Sequence, residues 1–191
     1  MKITIAASDI ARLKKAIEDT GRSLRKELSI ACNQTANKSK SIISKQIASE
    51  LATSQKTIRT TIRIAQKAKD SEIQAVVEVK KEKRISLKEF GARQTKKGVS
   101  YKISKSRGRK TIPGAFQGPK PGSINVRTKG NVFKRVGKSR LPIVKLFGPS
   151  SWGVFVVGKK QGPSVAETEA ELKKQIDRRI RFIELKASGA I

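Results

Sequence analysis

The sequence predicts an α+β fold, with a long N-terminal helix, a mixed or antiparallel β-sheet with long basic loops, and a C-terminal helix packed on that sheet. Three observations support this. Apolar residues recur at helical spacing between Ile10 and Leu51, stretches from Ile62 onward alternate in the period-two manner of strands between Gly- and Pro-rich segments, and helical spacing returns from Leu172 to Ile183. At 191 residues the length suits a single domain. Its expected parts are a largely helical arm (1–70), a basic sheet-and-loop region (71–162) and a closing helix (163–191).

In chain order, Lys2 to Ala6 alternates enough for a short strand. Ser8 stands where a helix N-cap belongs, and Asp9 follows it at the positive helix end. Ile10, Leu13, Ile17, Leu24 and Leu28, then Ala36, Ile43, Ile47 and Leu51, share one face. Residues 9–52 are therefore one helix, or two joined near Gly21 or Asn33. The stripe is narrow and rich in small residues, which suits packing along one side only, either on the chain's own sheet or on a neighbouring subunit. Thr53 or Ser54 caps a short helix to about Thr61. Strands are expected at Ile62–Ile64, Ile73–Val79, Ile85–Phe90, Val99–Ile103, Val132–Val136 and Phe155–Val157, with loops at Gly91–Gly98, Ser104–Lys110 and Gly118–Gly130. The last helix spans 165–186. Pro163 precedes it, Ser164 and Glu167 form a capping box, and Leu172, Ile176, Ile180 and Ile183 form its stripe.

Charge is the dominant compositional fact. The chain has 44 Lys and Arg against 15 Asp and Glu, a net +29, and residues 90–166 hold 18 cations and no acid. Such an imbalance concerns association more than fold, and it calls for a polyanion. All eight aromatic residues lie at or after Phe90, so the first 89 residues must pack on aliphatic side chains.

Several chemistries are excluded. The absence of histidine and the single Cys32 rule out a Cys/His zinc site and an internal disulfide, and Cys32 reads as a small packing residue. The acids fall mostly on charged helix faces, and no Gly-x4-Gly-Lys-Ser/Thr phosphate loop exists. No enzyme, metal site or cofactor is expected. No run approaches the roughly 18 apolar residues of a spanning helix, and the first residues lack the apolar core of a signal peptide. A soluble cytoplasmic protein without a membrane partner is the expectation.

The basic residues define the candidate site. Arg93, Lys96, Lys97, Lys102, Lys105, Arg107, Arg109 and Lys110 fall within 18 residues, on two Gly-punctuated loops and the strand between them. Phosphate contacts of this kind give affinity without reading bases. Tyr101 is the one aromatic among them, which disfavours a single-strand stacking platform and favours the backbone of double-stranded DNA.

Three blocks carry a family resemblance. They are Leu87-Lys88-Glu89-Phe90-Gly91-Ala92-Arg93-Gln94-Thr95-Lys96-Lys97-Gly98-Val99, then Ile112-Pro113-Gly114-Ala115-Phe116, and finally Arg140-Leu141-Pro142-Ile143 with Leu146-Phe147-Gly148-Pro149-Ser150. Together they resemble the minor tail protein Z family of long-tailed bacteriophages, also called tail completion proteins. The resemblance implies a structural virion protein of the phage neck and tail, assembled in the host bacterial cytoplasm. It implies a homo-oligomeric ring, taken as sixfold, at the head-proximal end of the tail. There it would join the tail to the head connector, contact the tail terminator or tube, and line the channel for genomic double-stranded DNA. The alternative is a free, sequence-nonspecific nucleic-acid-binding protein, nucleoid-like or ribosome-associated. Within the blocks, Gly91 and Gly114 are expected in turns, Phe90, Phe116 and Phe147 in the core, and Pro113, Pro142 and Pro149 in fixed loops.

Overall fold

Helices open and close the chain and antiparallel strands fill its middle. A computed structural model describes residues 1–188 apart from 4, 6, 18–23 and 119–129. The order is β1 (Lys2–Ile3), α1 (Ala7–Ile17), α2 (Leu24–Glu50), α3 (Gln55–Arg59), β2 (Ile62–Gln66), β3 (Ala75–Val79), β4 (Arg84–Ser86), a 3₁₀ turn (Leu87–Phe90), β5 (Arg93–Thr95), β6 (Gly98–Tyr101), β7 (Lys110–Pro113), β8 (Ala115–Gln117), β9 (Val132–Arg135), β10 (Ile143–Lys145), β11 (Phe147–Ser150), α4 (Ser151–Val157) and α5 (Gln161–Ala187). The α+β expectation holds. Contacts divide the chain into a first unit, Met1–Ile43 with Ile62–Val79 and Lys160–Ile191, and a second unit, Ser44–Thr61 with Lys80–Lys159.

In the first unit, aliphatic residues supply the core, as the aromatic-free N-terminal half requires. Leu13, Ile17, Leu28 and Ile183 are buried together, with Ile5, Ile10, Leu24, Ile73 and Ile180 packed around them. Strand β3 lies between β1 and β2 in an antiparallel sheet, and Ala75, Val77 and Val79 alternate inward. Helix α2 runs unbroken through Asn33, so that junction is excluded, while Gly21 lies outside the described residues. Asn33 is kept helical by tertiary use of its amide. Its Nδ2 donates to the Ala68 carbonyl and its Oδ1 accepts from the Ala68 N–H, both at 2.9 Å. Thr35 and Ser39 are buried, and their hydroxyls donate to the carbonyls of Ala31 and Thr35 one turn back. That satisfies polar groups that would otherwise compete with the helix.

Two charged contacts tie α5 to the earlier helices of this unit. Arg12 meets Asp177 at 2.9 Å on the exposed side. Arg179 is the inner partner: its Nε and a terminal nitrogen both donate to Oε2 of the buried Glu27, the former at 2.7 Å, and its guanidinium lies 5.0 Å from the centre of the Phe182 ring.

The second unit is built around Phe90. The 3₁₀ turn places Leu87 and Phe90 inward, and Gly91 closes it in the left-handed region at φ +61°. A Cβ on Gly148 of β11 would lie 2.3 Å from the Phe90 ring, so glycine there lets strand and ring meet. Strands β4 and β11 pair, β6 lies between β5 and β7, and β9 lies between β8 and β10, all antiparallel. Ser54 caps α3 through the Thr57 N–H, and Ser150 caps α4 through the Gly153 N–H, each at 3.1 Å.

Several local expectations are corrected. Ile85–Phe90 is a strand only to Ser86, because Leu87 and Phe90 turn inward at a spacing of three. Phe155–Val157 is helical: with the Ser150 cap, Ser151 and Phe155 are buried one turn apart and Val157 faces outward. Gly91–Gly98 contains β5 rather than a plain loop. Ser8 lies inside α1, and Ser164 is the fourth residue of α5, buried, so neither acts as the expected cap. Phe147 is 47 % exposed, outside the core, and Phe116 is partly covered. Residues 119–129 of the Gly118–Gly130 loop fall outside the described set.

Two outcomes test this packing. Arg179→Ala removes two charged donor bonds from the buried Glu27 carboxylate and is expected to cost about 3–5 kcal/mol in denaturant unfolding. The double change Glu27→Leu, Arg179→Met is expected to recover most of that loss. Burial pushes the Cys32 thiol from 9.0 up to about 11. At pH 8 its thiolate is therefore about a hundredfold rarer than in the unfolded chain. Thiol titration should accordingly find it inert until denaturant is added.

Candidate nucleic-acid interface

The second unit carries most of the charge. It holds 25 Lys and Arg against Glu50, Glu82 and Glu89, a net +22, while the first unit holds 19 against 12, a net +7. Within it, the eight candidate residues sit on and around the β5–β6–β7 sheet. Arg93 pairs with Ser100, and Lys110 with Tyr101, so two of the cations lie on opposite outer strands. Lys96 and Lys97 form the two-residue connection of the β5–β6 hairpin, between the paired residues Thr95 and Gly98. Thr95 Oγ1 and Gln94 Nε2 both donate to the Gly98 carbonyl, at 2.8 and 3.1 Å, and fix that tip. Gly98 is required there, since a Cβ would lie 2.0 Å from the Ile112 carbonyl oxygen.

The β6–β7 connection holds Lys102, Lys105, Arg107 and Arg109. Its start is anchored, because the Lys102 N–H donates to Phe90 O, the Ala52 N–H to Ile103 O, and the Lys105 N–H to Glu50 O. Ser104 and Ser106 hydroxyls lie 2.9 Å apart and tighten the following bend. Arg93, Lys96, Lys97, Lys105, Arg107, Arg109 and Lys110 are exposed, and Lys102 is half-buried.

Arg109 differs from the others. Its Nε donates to Ser100 Oγ at 2.9 Å, and a terminal nitrogen donates to the carbonyls of Gly91 and Ser100 at 2.7 and 2.9 Å. The guanidinium thus fastens the loop across the sheet. Composition alone cannot separate such a fastening arginine from its solvent-facing neighbours. Gln94 was also missed: besides bonding the tip, its Oε1 accepts from the Gln117 N–H of β8 at 2.8 Å. A lone glutamine in a three-residue strand gives no signal for that role.

What the site offers, besides the fastening Arg109, is a set of six exposed cations on a fixed scaffold. The sequence model of prophage minor tail protein Z (GPZ) matches residues 10–186. The chain belongs to this family. A minor tail protein Z is a bacteriophage tail protein, which places this chain in the virion tail among other phage tail proteins. No curated protein and no solved structure matches the chain. Among the described residues of this minor tail protein, no helix is long and apolar enough to cross a membrane.

The division between fastening and exposed cations is measurable. Arg109→Ala is expected to lower stability by about 1–3 kcal/mol in denaturant unfolding, because it removes charged-donor bonds to two carbonyls. Lys96→Ala with Lys97→Ala should stay within about 0.5 kcal/mol of the parent.

Proposed function

We propose that this minor tail protein completes the tail as a homo-oligomeric, sixfold ring at its head-proximal end. It joins the tail to the head connector, beside the terminator or tube, and presents its 93–110 surface to genomic double-stranded DNA in the channel. The chain acts there as one tail-completion domain, a structural part and not an enzyme, assembled in the host cytoplasm.

The observation that supports this most is the placement of the acid-free run. Its cations stand exposed on a sheet whose loops are anchored by backbone bonds, in a stretch of chain that carries no acid of its own. Six copies would concentrate these charges around one axis, and self-repulsion would oppose closure unless DNA or acidic neighbours offset it. A phosphate backbone threading the ring supplies that offset without sequence preference.

The six exposed cations per copy other than the fastening Arg109 set the expected salt response. If all six meet phosphates, affinity of the isolated protein for duplex DNA falls about 10³-fold between 50 and 200 mM salt. Filter binding measures this, and a flat response removes DNA from the reading. Sedimentation should show a defined higher oligomer that is also recovered in purified tails. A monomer that coats DNA and is missing from virions would instead support the free nucleic-acid-binding alternative.

A further inference from the structure

The second unit carries two basic surfaces of different chemistry. Among residues 91–117 no large apolar side chain is exposed, since Val99 is buried and Tyr101, Ile103, Ile112 and Phe116 are partly covered. The β9–β10 hairpin and its exit into β11 are also acid-free and carry Lys134, Arg135, Lys138, Arg140 and Lys145. Here, however, Val136, Leu141, Val144 and Phe147 are 66, 67, 51 and 47 % exposed. Val144 stands directly opposite Lys134 in the register, so cation and apolar side chain share one face. A phosphate backbone gains nothing from four exposed aliphatic and aromatic side chains. A protein surface with an apolar centre and a carboxylate rim does.

The chain itself contains an acidic stretch that matches such a patch in charge. Between Lys160 and Lys173 there is no cation, and the first turns of α5 carry Glu167, Glu169 and Glu171. Glu167 and Glu169 are exposed and Glu171 is half-exposed, its Oε1 accepting from Gln175 at 2.5 Å. Val165, one turn before Glu169, is an exposed apolar residue of the same stretch. The acid-free hairpin and this base-free stretch are complementary in charge, and Val165 beside Glu169 adds one apolar side chain to a carboxylate on the same helix face.

We infer that the β9–β10 hairpin of one copy docks on the N-terminal turns of α5 in a second copy of this chain. The contact uses two different patches, so it is heterologous and propagates head to tail, as ring closure requires. It rests on the ring reading above and names the surface that makes the ring. It also divides the basic run, leaving 93–110 for DNA and assigning 134–147 to the neighbouring subunit.

Paired charge reversals test this on the full chain. Lys134→Glu, Lys138→Glu and Arg140→Glu together set acid against acid, and Glu167→Lys, Glu169→Lys and Glu171→Lys together set base against base. Each triple variant is expected to sediment as a monomer where the parent is oligomeric. An equimolar mixture of the two should regain the oligomer, because every hairpin then meets an α5 of opposite charge. Misfolded variants could not produce that recovery, and far-ultraviolet circular dichroism checks each one beforehand. The milder pair Leu141→Ser, Val144→Ser should raise the concentration needed for assembly at least tenfold. An oligomer unchanged by the reversals, or a mixture of folded variants that stays monomeric, overturns the docking and leaves the ring reading standing. Hairpin variants that keep the oligomer but fail to join tails assign the hairpin to another tail protein and likewise overturn it. A monomeric parent overturns both readings.

Discussion

Like-charge repulsion in the second unit is the constraint on which the rest depends. With 25 cations facing three carboxylates, that unit cannot neutralise itself by ion pairing. Its cations are met by other acceptors. Arg109 binds the carbonyls of Gly91 and Ser100, Lys83 binds Thr60 O at 3.0 Å, and Arg135 binds Arg140 O at 3.1 Å. Ring faces serve as well: Lys81 lies 5.2 Å from the Trp152 ring, Arg135 5.3 Å from Phe116, and Lys145 5.0 Å from Phe147. Carbonyl dipoles and aromatic quadrupoles hold a cation in place without cancelling its charge. Geometry is thereby fixed while the long-range field is kept.

The first unit solves a different problem with different means. It has 12 acids for its 19 bases, and the Glu27–Arg179 pair is taken inside, where removal of one partner would cost more than the pair itself contributes. The buried face of α2 includes the small side chains Ala31, Cys32, Thr35, Ala36 and Ser39, and Ser39 meets Thr168 of α5 at 3.2 Å. Such a face has little apolar area to bury. Orientation therefore rests on matched polar groups more than on mass, which explains why the helix reads from sequence as a narrow, weakly apolar arm.

Legibility from the sequence follows this division. Helices α1, α2 and α5 and strands β2 and β3 were readable because each buries one face at a regular period, and β6 and β9 because short apolar stretches stand between Gly- and Pro-rich segments. The failures have two causes: a contact far along the chain, or a local cap that moves a helix boundary. Asn33 looked like a helix junction because its partner Ala68 is 35 residues away. Phe155 looked like a strand residue because its β-branched neighbours suggest one, while the Ser150 cap and the burial of Ser151 select a helix. Ser164 matched a capping box, yet α5 starts three residues earlier and encloses it. At the candidate site, the cluster of cations was legible as a cluster. Which of them fastens the loop was not, since Arg107 and Arg109 are equivalent in composition and differ only in reaching Gly91 and Ser100.

The absence of acids over 77 residues has a further consequence for assembly. In the proposed ring, a surface that binds DNA transiently and also holds a neighbour permanently could not rely on charge alone for both, because charge attracts either partner. Apolar exposure breaks that degeneracy. It adds nothing toward phosphate but favours a protein face, and its contribution persists at salt concentrations that screen the cations. Exposed aliphatic residues cluster on the β9–β10 hairpin and are missing from the β5–β7 loops, so the two halves of one basic run carry different selectivity despite similar charge. In a ring of identical subunits, that asymmetry would keep the subunit contact intact while the channel surface binds and releases its polyanion.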